Sequence, residues 1–382
     1  MQNNDDLFAE LTALRRDLHR MPEISGEEEK TAKRVVAWLR DSEVDEVVEG
    51  LGGHGVAGAF DSGKSGPTIL FRAELDGLPI HETGTPEWRS QIEGKGHMCG
   101  HDGHMAILCG LARRLQSHRP ARGRIILMFQ PAEENGAGAQ AVISDPRFEA
   151  LRPDFAFGLH NLPGMPLGHA GLRAGPFCCA SEGMEIRLTG WTSHAAHPED
   201  GRSPARAMTE LVARLPALPA ELGMPPGEGL VTLTHARLGE PSVGIAPGEA
   251  RVMATIRAQT DGAQERLMVA ARDMAEKAAE AAGLEIDIGT AERFAACIND
   301  EAAAGMLRDA LTETGMQFSE LEGPFRWSED FGVFGGVSPS AFFVLGAGEG
   351  HPQLHNPDYD FPDKIIQPAV AIFEAIARAQ CG

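Results

Sequence analysis

The sequence predicts an α/β protein: a main domain with a largely parallel central sheet flanked by helices, plus a smaller inserted α+β sandwich. Three observations predict it. Short apolar runs alternate with helix-period stretches in the first part of the chain, the pattern of a parallel sheet with crossover helices. Residues with chemically capable side chains fall just after those runs, where open α/β sheets gather their sites. The texture then changes near Cys178, where strands and two helices follow one another in a separate block.

Residues 5–20 read as a helix with Leu7, Leu11, Leu14 and Leu18 on one stripe. A second helix is expected over 26–40. A strand over 68–71 delivers Arg72, Glu74 and Asp76 at its end, and a helix is expected over 102–115. Residues 124–129 form a clean buried strand, and 155–159 another that ends at His160. The inserted block is expected to hold strands at 184–188, 230–238, 250–259 and 284–288, with helices at 204–215 and 264–282. The return to the main domain is expected near 290–296. A helix at 301–314, a strand at 341–345 and a helix at 363–377 complete the chain. The domains expected are therefore 1–180 with 292–382, and 181–291.

Lys and Arg total 34 against 55 Asp and Glu, a formal net charge of −21. Such a field disfavours nucleic acid as a partner and favours solubility. The apolar stretches, such as 340–345, are too short to span a membrane, and the first residues are polar and acidic rather than export-like. Six cysteines show no disulfide pattern, which suits a reducing, cytoplasmic setting.

The segment GHMCGHDGH, 96–104, puts Cys99 and His101 one residue apart, with His97 and His104 beside them. Thiolate and imidazole both ligate zinc-class ions, although a structural site or a chance cluster would look the same. Glu133 and Glu134 follow a buried strand. Adjacent carboxylates there need solvent or a cation, and pointing apart they permit one ligand and one free base. His160 and His355 bring the ligand-capable set to Cys99, His101, Glu134, His160 and His355. A bridged pair of ions could share it, with Cys99 or the hydrolytic water between.

Seven segments carry a resemblance: RAELDGLPI, GHMCGHDGHMAI, LMFQPAEEN, GLHNLPG, TSHAAHPEDGRSP, SEDF and LHNPDYDF, running from Arg72 to Phe361. In this order they resemble the aminoacylase-like M20 metallopeptidases, in the branch of hippurate hydrolases and auxin-conjugate amidohydrolases. The resemblance implies two divalent metal ions, zinc or manganese with cobalt or nickel as further options. It also implies that Cys99 bridges them and that His101, Glu134, His160 and His355 complete the shells. It implies Glu133 as general base and His194, on the inserted domain, as a hydrogen-bond donor to the carbonyl or oxyanion. The reaction implied is hydrolysis of a small N-acyl or N-aroyl amino acid. A dipeptidase and an N-acetyl-diamino-acid deacetylase are the enzyme alternatives, an inactive ligand-binding relative and a structural zinc protein the others. The inserted domain is expected to serve as a lid and in homodimerisation, with a tetramer as the larger assembly.

Two departures stand out. The family commonly reads Arg-Ala-Asp where this chain has Arg72-Ala73-Glu74, a position expected to buttress a metal-bound histidine. Asp76 and Asp102 are further supports of that kind. The family's usual asparagine is replaced by Gly244, so recognition of the substrate's carboxylate end is expected to differ. Arg257 matches an arginine that pairs with that carboxylate, or is simply a half-exposed strand residue. Asp330 and Glu329 are expected to shape a loop or pocket floor. Gly346 and Gly348 either let backbone approach the substrate or answer turn geometry alone.

Overall fold

The computed structural model describes residues 4–382. The chain forms two compact units. One comprises the residues up to Phe177 with Cys297–Gly323 and Glu329–Gly382, the other Cys178–Ala296 with Pro324–Ser328.

In the first unit the order begins with α1 (Asn4–Arg20), α2 (Glu29–Asp41), β1 (Glu46–Leu51), β2 (Gly55–Asp61) and β3 (Thr68–Glu74). It continues with α3 (His101–Ser117), β4 (Arg124–Gln130), α4 (Gly138–Ser144), β5 (Phe155–Pro163), β6 (Ala170–Leu172) and β7 (Gly175–Cys178). The second unit carries β8 (Ala180–Thr189), β9 (Ser193–His194), α5 (Ala205–Arg214), α6 (Leu218–Glu221), β10 (Gly229–Leu238), β11 (Ile245–Ala246), β12 (Glu249–Ala258), α7 (Asp261–Ala282) and β13 (Glu285–Phe294). The chain then returns through β14 (Cys297–Asn299), α8 (Glu301–Glu313), β15 (Phe318–Glu320), β16 (Ser340–Gly348) and α9 (Ile366–Cys381).

The main sheet has eight strands in the order β1-β2-β4-β3-β5-β16-β6-β15. Its centre, β4-β3-β5-β16, is parallel throughout. The sheet as a whole is mixed, because β1, β2 and β4 pair antiparallel and β6 runs antiparallel to β16. The parallel strands are buried on both faces, which is why they read as unbroken apolar runs. Alternate residues feed different layers. Phe71 and Phe343 meet Phe373 of α9 on one face, while Phe342 packs on Phe331 on the other. In α3, Gly103 lets the helix approach the Phe361 ring, since a β-carbon there would lie 2.4 Å from it.

The second unit has an antiparallel sheet, β10-β12-β8-β13, with α5 and α7 on one face. Ile186, Leu188, Val252 and Ile256 of the sheet bury against Leu211, Leu267, Ala271 and Ala275 of the helices. The alternating burial of β12 follows, with alternate residues left on the open face. Thr260 caps α7 by accepting the Ala263 N–H at 3.2 Å, and Gly283 ends the helix at φ +62°.

Candidate metal centre

The parallel strands of the first unit aim their C-terminal ends at one cluster. β3 ends at Glu74 and leads to Asp76; β4 ends at Gln130 and leads to Glu133 and Glu134. β5 carries His160 within the strand, close to its C-terminal end, and the loop after β16 carries His355. α3 supplies His101 as its first residue, after Gly100 at φ +90° has turned the chain away from Cys99.

The five candidate ligands converge as two overlapping triads. Donor atoms of Cys99, His101 and His160 lie within 4.8 Å of one another, as do those of Cys99, Glu134 and His355. Cys99 is the shared member. Its Sγ lies 3.3 Å from Nε2 of His160, and Glu134 lies 3.5 Å from Nε2 of His355. Nε2 of His101 is 3.8 Å from Glu133 and 3.9 Å from Glu134.

The outer nitrogens are already committed. His101 uses Nδ1 on the Asp76 carbonyl at 2.8 Å, with the Asp76 carboxylate 3.4 Å away. His160 donates from Nδ1 to the Asn161 carbonyl at 2.7 Å. Both rings therefore present Nε2 inward, the tautomer a metal-binding histidine needs. Nε2 of His101 and Oε1 of Glu134 are buried with no hydrogen-bond partner among the described residues. Buried polar atoms left in this way are costly. Together with a Cys/His/carboxylate donor set they fit a pair of divalent cations.

The electrostatics agree. Burial, then Glu134 and Glu133, push the Cys99 thiol well above its usual range, so a thiolate here needs added positive charge. Burial raises Glu134 to about 7 even with His101 beside it. Against the cost of burial, Asp76, Glu74 and Glu134 raise His101 to about 10. Burial, followed by Glu329, Glu134 and Asp330, holds Glu133 well above the ordinary carboxylate range.

Glu133 faces a second buried network. Arg72 contacts Glu74 and Asp330, and lies 2.9 Å from both Glu329 and Gln130. Gln130 in turn donates to both oxygens of Asp330, at 2.9 and 2.7 Å. Asp330 and Glu329 therefore sit beside Glu133 and crowd three carboxyl groups around a single guanidinium.

Support at Glu74 goes to a different histidine from the one the sequence suggests. Its carboxylate takes Nδ1 of His104 at 2.6 Å, and His104 turns Nε2 to the Asn161 N–H at 3.2 Å. His104 is thus bonded at both nitrogens and stands outside both triads. Asn161 also bonds the Cys99 carbonyl at 2.8 Å and the hydroxyl of Tyr359 at 2.5 Å. Asp102, next to His101, accepts from Nδ1 of His19 at 2.8 Å and faces Arg15. Arg15 binds Asp360 and Asp363, each at 2.7 Å. The Arg15–His19 pair on α1 was not singled out by sequence reasoning. His97 is core: it is buried, and burial lowers it to about 4.

Gly346 has a packing reason to be glycine. A β-carbon there would lie 2.0 Å from the Pro166 carbonyl. Its N–H and carbonyl are both spent, on His169 and Gly168 at 2.8 Å.

The second unit holds the remaining candidates. His194 lies on β9, paired with Ile245 of β11. Its Nδ1 accepts the Ala196 N–H at 3.0 Å, which puts the ring proton on Nε2 as an outward donor. Gly244 adjoins it, its carbonyl accepting from Ala195 at 3.0 Å. Nothing in this unit demands glycine there, since a β-carbon at Gly244 would meet open space. Arg257 donates to Ser328 Oγ at 2.7 Å and to the Arg326 carbonyl at 3.2 Å. No acidic side chain pairs with it among the described residues.

Residues 70–379 match the family described as peptidase family M20/M25/M40. The chain belongs to this family. It is accordingly a metal-dependent hydrolase of the M20 fold. The M20 chain is 31% identical to an N-acetyl-L-cysteine deacetylase of Bacillus subtilis, covering 98% of this chain and 89% of that protein. It is 30% identical to a hippurate hydrolase of Campylobacter jejuni, covering 97% of each. Its fold matches the crystal structure of a Bacillus subtilis protein described as a dinuclear metal binding peptidase of family M20. That match has a TM-score of 0.83 and 26% identity, and covers 98% of both chains. Among the described residues no helix is long and apolar enough to cross a membrane.

Proposed function

We propose that this M20 chain hydrolyses the amide bond of a small N-acyl or N-aroyl amino acid, releasing a carboxylate and the free amino acid. The observation that carries the proposal is the pair of donor triads sharing Cys99, with the carboxylate of Glu133 beside them. Two divalent ions held by Cys99, His101, Glu134, His160 and His355, zinc or manganese before cobalt or nickel, would supply Lewis acidity and a more acidic water.

Glu133 is the proton carrier. It accepts the proton of the attacking water as the C–O bond forms, and delivers it to the amide nitrogen as the C–N bond breaks. His194, with its proton on Nε2, is the donor for the carbonyl oxygen as charge develops. Arg257, held by two neutral groups, the Ser328 hydroxyl and the Arg326 carbonyl, is the residue for the substrate carboxylate. Asp76 and Asp102 hold His101 and its helix, while Glu74 acts through His104. Residues 181–291 are assigned lid and dimerisation roles, and the chain is read as a cytoplasmic homodimer, with a tetramer as the larger alternative.

A second reading, an N-acetyl-diamino-acid deacetylase, is favoured by the net charge of −21, which attracts cationic substrates. A screen over N-acetyl, N-benzoyl, dipeptide and cationic diamino-acid substrates tests both. N-acyl or N-aroyl amino acids should release amine fastest. A marked preference for the diamino-acid derivatives would move the assignment to the second reading. No turnover of any acylated amino acid would overturn the proposal.

A further inference from the structure

Glu28 is a buried carboxylate at the N-cap position of α2, yet its side chain makes no capping bond to that helix. The nearby Gly26 and Glu28 N–H groups favour its charged form, and its Oε1 also reaches the backbone N–H of Ala132 at 2.8 Å, 104 residues away. Its Oε2 is buried with no hydrogen-bond partner among the described residues. Burying a carboxylate in this way costs stability, so a merely structural cap would be better placed at the helix.

The recipient is unusual as well. Ala132 has φ +51°, a left-handed conformation that non-glycine residues adopt at a cost. It immediately precedes Glu133 and Glu134. The same turn is held at its other end by Asp76, whose Oδ2 accepts the Glu134 N–H at 3.0 Å. Asp76 is tied back to the Glu28 segment, because that oxygen also accepts the Ser25 hydroxyl at 2.7 Å. The segment before α2 thus grips the turn on both sides of Glu133.

We infer that Glu28 is a positioning residue: by clamping the Ala132 N–H it holds the left-handed turn that sends Glu133 and Glu134 in different directions. The left-handed residue sets the direction in which the chain enters the acid pair. Without the clamp, Ala132 relaxes towards negative φ and both carboxylates rotate away from their neighbours. The inference rests on the proposed roles of Glu133 as proton carrier and Glu134 as metal ligand.

The test uses the full chain and four variants: Glu28→Ala, Glu28→Gln, Ala132→Val, and Glu28→Ala combined with Ala132→Gly. Glu28→Ala should lower kcat about tenfold or more at saturating metal, with KM changed far less. It should also weaken Zn²⁺ binding in titration of the metal-free protein. Glu28→Gln keeps an acceptor oxygen and should recover most of the loss. Ala132→Gly removes the cost of positive φ and should restore part of kcat and zinc affinity in the Glu28→Ala background. Ala132→Val, a β-branched residue in the left-handed region, should lower kcat without touching Glu28, which keeps the test alive should Glu28→Ala not fold. The inference is overturned by a Glu28→Ala protein that loses only thermal stability, or by Ala132→Val with full kcat. A Glu133→Ala control that retains turnover would sink the proposed function instead, and the zinc titrations would still report on the clamp.

Discussion

The two units treat their candidate residues in opposite ways. In the first, most candidate side chains are buried and fixed by partners that are themselves fixed: His101 by Asp76, Asp76 by Ser25, Asp102 by His19 and Arg15; the half-exposed His355, 3.5 Å from Glu134, is the exception. In the second, His194 is exposed and held by one local bond from Ala196, on a two-residue strand. Arg257 rests on two neutral oxygens. The contrast matches the proposed division of tasks. Ligands and a base must be preorganised to a fraction of an ångström, whereas groups proposed to meet the substrate can be lightly held and still contribute when it is bound.

Mutations sharpen the contrast, and the largest effect belongs to the rigid unit. Glu133→Ala should lower kcat about a thousandfold while metal content stays intact. Turnover near the parent value would remove Glu133 from the mechanism. Next comes the lightly held unit. His194→Ala should lower kcat about a hundredfold, with no change in metal content or melting temperature, because its bond is local. Loss of metal from that variant would break the division of labour.

A smaller effect tests the buttress. Asp76→Ala removes the carboxylate beside His101 and under the Glu134 N–H but keeps the backbone carbonyl that His101 uses. It should weaken metal binding about tenfold, read by competition with a chelator. Unchanged affinity would mean that the Asp76 carbonyl orients the His101 ring without help from the carboxylate. The smallest effect is on stability. Despite the cost of burial, Asp102 and Glu82 raise His19 to about 9 from the usual 6.5. A raised histidine stabilises the fold fully below about pH 6.5, and that contribution is lost as pH climbs through about 9. Replacing it with glutamine should flatten the fall in denaturation midpoint between those values. An equally steep fall would assign the slope to other groups.

Much of this was legible because it is written in short range. The central strands are unbroken apolar runs, and the candidate ligands lie near their C-terminal ends or at the start of α3. The hairpin β1–β2 was not foreseen. Its first strand is half exposed and carries Glu46 and Glu49, and its second is diluted by glycine and alanine, so neither has a strong period. The supports escaped for a different reason. Arg15 and His19 lie on a helix whose leucine stripe explains it fully, and their partners Asp102, Asp360 and Asp363 are 80 to 350 residues distant. Ion pairs at that separation leave no periodicity. Glu74 was recognised as a support but tied to a ligand histidine, because sequence cannot say which of His101 and His104 turns towards it; the helix turns His104.

Metal stoichiometry tests the central claim most directly, that two donor triads meet at Cys99. The protein should bind two divalent ions per chain, and Cys99→Ala should weaken both, whereas His355→Ala should weaken only one. A single ion per chain, retained in full by Cys99→Ala, would contradict the shared-ligand geometry.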